Sequence, residues 1–279
     1  MRVLNKKKYV IVLVGLMTLS IGAAATAKIG NNLIWATRTL SAKQKPRGEV
    51  NWILPGLREL DPEIFGNVSY PFGFEEDIGV PIGARLTDGA GHFTTTSFPT
   101  PFSDNYEQVM GSFKTKMMDR TPIDDPHSGD SAEGEFEWTD PAGNAYYIKV
   151  KHVIPEGPAH TFLGGVVIDD YLHGKSSIGT RLMPTVYTYG AFWAIGEYYI
   201  NGDLRNGMQI FHVMITENVR DEDYELMIDS ELTHTGVDTH VMLPPGVTET
   251  EYELMPDMTQ PFVHVMFENT KLQGAKILQ

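Results

Sequence analysis

The stretch PTVYTYGAFWAIGEYYINGDLRNGMQIFHVMITE, residues 184–217, decides the fold. Its first half, residues 184–200, is long, aromatic and β-branched, a composition that favours extended chain. Gly190 and Gly196 interrupt it at positions suited to bulges or bends. Asn201-Gly202 follows, the pair best adapted to the two left-handed positions of a tight hairpin turn. Residues 209–217 then resume an extended pattern. Two long antiparallel strands are the expectation.

Working outward, residues 135–139 and 145–154 flank the turn cluster Asp140-Pro141-Ala142-Gly143-Asn144 and read as a second hairpin. Residues 161–169 form another short apolar run, and further strands are predicted at 224–228, 239–243 and 262–268. No strand–helix alternation is present, which excludes a doubly wound nucleotide-binding fold. The predicted class is therefore mainly β: an antiparallel β-sandwich or barrel-like domain over residues 134–279. Residues 121–133 read as an acidic loop or linker. Residues 28–120 read as an extended Pro/Gly-rich region or small lobe, because Pro55, Pro62, Pro71, Pro81, Pro99 and Pro101 forbid long helices. Inside it, residues 57–64 suit a turn or two of helix and 94–98 a short strand. Residues 105–118 are predicted helical, because Val109, Phe113 and Met117 recur four apart.

Composition narrows the function. The chain has 279 residues, 22 basic against 36 acidic, for a net charge of −14. Its 42% hydrophobic content excludes wholesale disorder, and its acidity argues against nucleic acid as a partner. With no Cys, disulfides, thiolate metal sites and Cys nucleophiles are excluded. Residues 1–27 carry Arg2, Lys6, Lys7 and Lys8, then an uncharged apolar stretch, then small residues at Ala25 and Ala27. That is the three-part pattern of a signal peptide. If it stays uncleaved as a membrane anchor, the basic flank stays inside and the remainder is still exported. Either way the destination is periplasmic or extracellular.

His-Val-Met occurs three times: His212-Val213-Met214, His240-Val241-Met242 and His264-Val265-Met266. On a strand, alternate side chains face opposite sides. The valines then belong to an apolar face, and each His shares the other face with its Met. Imidazole and thioether together suit copper, Cu(I) in particular, so His212, Met214, His240, Met242, His264 and Met266 are candidate ligands. Asp238 and Glu268 are candidate hydrogen-bond partners of the rings. The same face read differently is a pocket for an organic ligand, or plain packing. Rings that share one ion must lie within roughly 8 Å of each other.

Other candidates are weaker. His152 falls on the face of Tyr146, Ile148 and Val150, where an inward imidazole suits acid–base chemistry. Tyr187, Tyr189 and Trp193 are evenly spaced and form a candidate ligand-stacking row or, equally, core. His173 follows a strand rich in Asp. Arg220, inside an acidic run, reads as half of a surface ion pair. No nucleophile elbow, zinc-protease or phosphate-loop motif is present. The sequence thus points to an exported protein that binds a small ligand or metal ion, copper being the sharpest version. The alternatives are a lipocalin-like or sandwich hydratase, isomerase or hydrolase acting on a small apolar molecule with His152 or His212 as base, and an assembly protein.

Overall fold

The computed structural model describes residues 26–29, 32–35, 37–54, 56–65, 86–87, 93–96, 102–120, 129–154, 165–176, 178–244 and 263–274. Met1–Ala36 and Thr37–Gln279 are separate compact units. In the first, β1 (Thr26–Ile29) pairs antiparallel with β2 (Asn32–Trp35). The rest of the expected signal peptide lies outside the described residues. Among those described, no helix is long and apolar enough to cross a membrane.

The second unit begins with β3 (Arg38–Lys43), β4 (Gly48–Ile53) and β5 (Leu57–Glu59). The short helix α1 (Pro62–Phe65) follows, and then β6 (Leu86–Thr87), β7 (Phe93–Thr96) and β8 (Tyr106–Asp119). After these come β9 (Ser131–Thr139), β10 (Ala145–Val153), β11 (Val166–Leu172) and β12 (Val186–Ile200). The last are β13 (Asp203–Glu217), β14 (Val237–Leu243), β15 (Val263–Phe267) and β16 (Lys271–Gln273). Eight of them close an antiparallel barrel in the order β8–β9–β10–β12–β13–β14–β15–β4, with β4 returning to β8. Outside the ring, β3 continues along β8, β16 pairs with β3, and β11 pairs with the first half of β12. Strands β5, β7 and β6 make a small separate sheet.

The two long strands form as read. Asn201 and Gly202 both have positive φ, 53° and 84°, the backbone of a type I′ turn. Register slips beside Gly190 and between Gly196 and Tyr198 mark the two bulges.

Residues 105–118 are not a helix. They form β8, whose odd positions from Val109 to Asp119 are buried while most even ones face out. A four-residue spacing satisfies a strand's period of two as well as a helix's period of 3.6. Gly111 and Thr115, also buried, fill the intermediate positions. Residues 28–120 are likewise more than a lobe, since β3, β4 and β8 lie in the main sheet. Residues 121–133 do not separate domains: β9 begins within them, at Ser131, and pairs with β8 before them. The strand expected at 224–228 reduces to a single bridge, Arg220 to Leu226.

Apolar side chains fill the barrel. Phe113, Phe136 and Phe267 meet with ring centroids 5.1–6.2 Å apart, and Phe211 lies 6.3 Å from Phe136. Val213, Val241 and Val265 belong to this interior, as the alternation predicts. A second apolar cluster lies on the opposite face of β13, β14 and β15. There Met214, Met242 and Met266 pack beneath Leu60, Ile64, Phe65, Phe102, Leu182 and Leu226 from the connecting segments.

Candidate functional site

The three His-Val-Met strands are neighbours, and their register is offset by two residues. His212 stands opposite Met242, Met214 opposite His240, His240 opposite Met266 and Met242 opposite His264. The outer face is therefore a checkerboard of imidazole and thioether. It is not solvated: His212, His240 and His264 are all buried, because the connecting segments lie across them.

Hydrogen bonding orders the imidazoles. Thr216 Oγ1 donates to the Glu217 carbonyl at 2.7 Å, so its lone pair receives His240 Nε2–H at 3.2 Å. A neutral His240 then accepts at Nδ1 from His264 Nε2–H, at 3.1 Å. Burial, and then the His264 ring, hold the His240 pKa well below the ordinary histidine value, which keeps it neutral. The rings of His240 and His264 are 5.4 Å apart. His212 takes another partner, stacking on Trp193 of β12 at 4.6 Å and 18°. Among the described residues no three His, Asp or Glu side chains are grouped to hold an ion. The structure thus brings His240 and His264 together, while His212 stacks on Trp193.

A fourth histidine joins this face. His173 follows β11 with a φ of 64°, and Gly174 after it has a φ of 52°. A Cβ on Gly174 would lie 2.3 Å from the Thr185 backbone nitrogen, so only glycine fits. This turn carries His173 inward. Its Nδ1 donates to the Thr180 carbonyl at 3.0 Å, and its Nε2 lies 3.0 Å from Met214 Sδ. In a neutral ring that nitrogen bears the lone pair. His173 and His212 line one small void of about 10 Å³, walled also by Trp193, Phe192, Leu172 and Ile178. That is about the space of one water molecule or small ion. The His-Gly pair ending a strand signals the left-handed turn, but not the burial it leads to.

Asp238 and Glu268 do not serve the imidazoles. Asp238 hydrogen-bonds Glu268 and accepts from Asn269 N–H at 3.3 Å. Burial, and then the Glu268 charge, raise Asp238 well above the usual carboxylate range. Glu268 Oε1 accepts from Tyr224 OH and Asn51 Nδ2, both at 2.8 Å. Two donors on Glu268 and a raised Asp238 place the proton on Asp238. Arg220 is buried, not a surface partner. Its guanidinium donates to the carbonyls of Tyr224 at 2.8 Å and Ser103 at 2.9 Å, beside Asp104.

The other candidates also move. His152 is exposed, because a bulge after Val150 reverses the alternation and sends Val153 toward the core in its place. Tyr187 and Tyr189 point into the barrel with rings 5.0 Å apart, and Tyr187 OH donates to Asp169 at 3.0 Å. Trp193 lies on the outer face with His212, since the bulge at Tyr189 inverts the strand between them. The aromatic row is therefore split between two faces.

Comparison with protein-family models, with curated proteins and with solved structures finds no match.

Proposed function

We propose that this is an exported metal-binding barrel, and that its ligand is a soft monovalent ion, Cu(I), held by His173, His212 and Met214. The single observation that carries the reading is the ion-sized void flanked by two buried imidazoles, with the Met214 thioether 3.0 Å from His173 Nε2. Imidazole and thioether are the donor set that favours Cu(I) over hard cations. The Thr180 carbonyl fixes the His173 tautomer, leaving the metal-ready nitrogen turned toward the thioether. Met214, with its freely rotating side chain, swings aside to admit the ion. His240, His264, Met242 and Met266 support the site by packing. Export rests on the basic, apolar and small-residue pattern of residues 1–27.

The test is a Cu(I) competition titration of the full chain against bicinchoninate, with Trp193 fluorescence as a second readout. The expected result is one ion per chain with quenched emission, lost in the double variant His173→Gln, Met214→Leu and retained in His264→Gln. Equal binding by the double variant and the parent, or none by the parent, overturns the reading.

A further inference from the structure

A second cleft, of about 450 Å³, opens beside the β9–β10 and β12–β13 turns. Its walls include Tyr146, Tyr147, Tyr199 and Met110, with Trp138 and Arg47 also lining it. That volume suits a small organic molecule rather than an ion. The ring surfaces are held rigidly. Trp138 stacks on Tyr146 at 5.5 Å and 4°, and Tyr147 meets Tyr199 at 5.7 Å. Each phenol is anchored by a carboxylate: Tyr146 OH donates to Asp140 and Tyr199 OH to Glu197, both at 2.9 Å, and Tyr147 hydrogen-bonds Glu135. The anchors fix the rings and consume their hydroxyl protons.

What remains for a ligand is specific. Trp138, packed among the interior side chains, faces the other side of the sheet from Glu137, Tyr147 and Tyr199 and leaves the ligand contacts to those outer residues. Arg47, held at a φ of 55°, has no ion-pair or hydrogen-bond partner among the described residues. Glu137 also lines the cleft, with one oxygen accepting from Ser112 Oγ at 2.6 Å. The cleft therefore offers flat apolar ring faces, one cationic donor and one carboxylate acceptor. A carboxylate ligand would meet Glu137, and a purely apolar one would leave Arg47 and Glu137 unanswered. A sugar ring answers all of them, with C–H faces for the aromatics and hydroxyls that both donate and accept.

We infer that this cleft is a carbohydrate-binding site, in which Tyr147 and Tyr199 stack a sugar ring while Arg47 and Glu137 hydrogen-bond its hydroxyls. This is independent of the metal reading and involves none of its residues. The test is calorimetric titration of the full, metal-free chain with cellobiose, maltose and N,N′-diacetylchitobiose, using sorbitol as a hydroxyl-rich control without a ring face. At least one disaccharide is expected to bind saturably and sorbitol not to bind. Tyr199→Ala is expected to weaken binding about tenfold, while Tyr199→Phe, which keeps the ring, preserves it. Arg47→Ala, on the surface and harmless to the core, is expected to weaken it similarly. No saturable binding by any of the three, binding equal to that of sorbitol, or binding indifferent to both alanine variants overturns the inference. So does 2-naphthoate binding more tightly than every disaccharide with the same sensitivity to Tyr199→Ala, which would mark an aromatic anion site.

Discussion

The outer wall of this barrel differs sharply from one side to the other. Across β8, β9 and β10 it carries Lys114, Lys116, Glu133, Glu135 and Lys149, open to solvent, with Lys114 and Glu135 paired at 3.0 Å. Across β13, β14 and β15 the same wall carries His and Met, buried under connecting segments. Both sides share one apolar interior. The difference teaches that alternation along a strand fixes only which side chains point inward. Whether the outward set meets water or protein depends on where the long connections go, and here they gather over the soft, weakly charged face.

Substitutions separate the two sides by size of effect. Met266→Ala on the covered side is expected to cost about 2–5 kcal/mol in urea unfolding, because it removes a fully buried side chain. Lys116→Ala on the open side is expected to change stability by no more than about 0.5 kcal/mol. Similar losses at the two positions would erase the distinction. His240→Leu comes next, at about 1–3 kcal/mol, since it deprives the buried His264 N–H of its acceptor.

Acid–base behaviour sharpens the contrast further. Asp238 keeps its proton in the folded chain to a pH well above 3.8, while the unfolded chain releases it near that value. The unfolded state then binds fewer protons, so stability associated with this group is complete below about pH 4 and is lost as pH rises toward the folded pKa. Asp238→Asn mimics the protonated acid. The variant is expected to gain on the parent by up to about 1.4 kcal/mol per pH unit on moving up from pH 4, measured by unfolding across pH. His240 works in the other direction. Its folded pKa is depressed, so its contribution is present above about pH 6.5 and fades as pH falls toward the folded value. A parallel pair of curves for parent and Asp238→Asn would show that the carboxyl pair does not share its proton in this way. The smallest effect belongs to the open side: breaking Lys114–Glu135 in a double-mutant cycle is expected to yield a few tenths of a kcal/mol, vanishing in high salt.

Much of this wall was legible in the chain. Asn201-Gly202, the flanking bulges and the alternation of the His-Val-Met strands came from local chemistry, which acts over a few residues; that those three strands are neighbours did not. The inward valines followed from strand period alone. Three readings failed where period was ambiguous or broken. Val109, Phe113 and Met117 fitted helix and strand equally. His152, and Trp193 relative to Tyr187, were displaced by one-residue bulges, each of which reverses everything beyond it. The roles of Arg220 and His173 were hidden for another reason. Their burial depends on segments far along the chain, Ser103 over Arg220 and Thr180–Thr185 around His173, and no local pattern encodes that.

The position of β4 has a kinetic consequence. Strands β8 to β15 pair mostly with their neighbours in sequence, but the ring closes only when β15 meets β4, where Gln44 Nε2 donates to the Glu268 carbonyl 224 residues away. Contacts of that separation form slowly, because a large loop must close before they repay its entropy. During synthesis β4 emerges long before its second partner. Until residues 263–267 leave the ribosome, one side of β4 is an open edge with unpaired backbone groups, able to template pairing with a second nascent chain. Truncation before residue 263 would make that transient edge permanent, turning the barrel's own seam into an aggregation site.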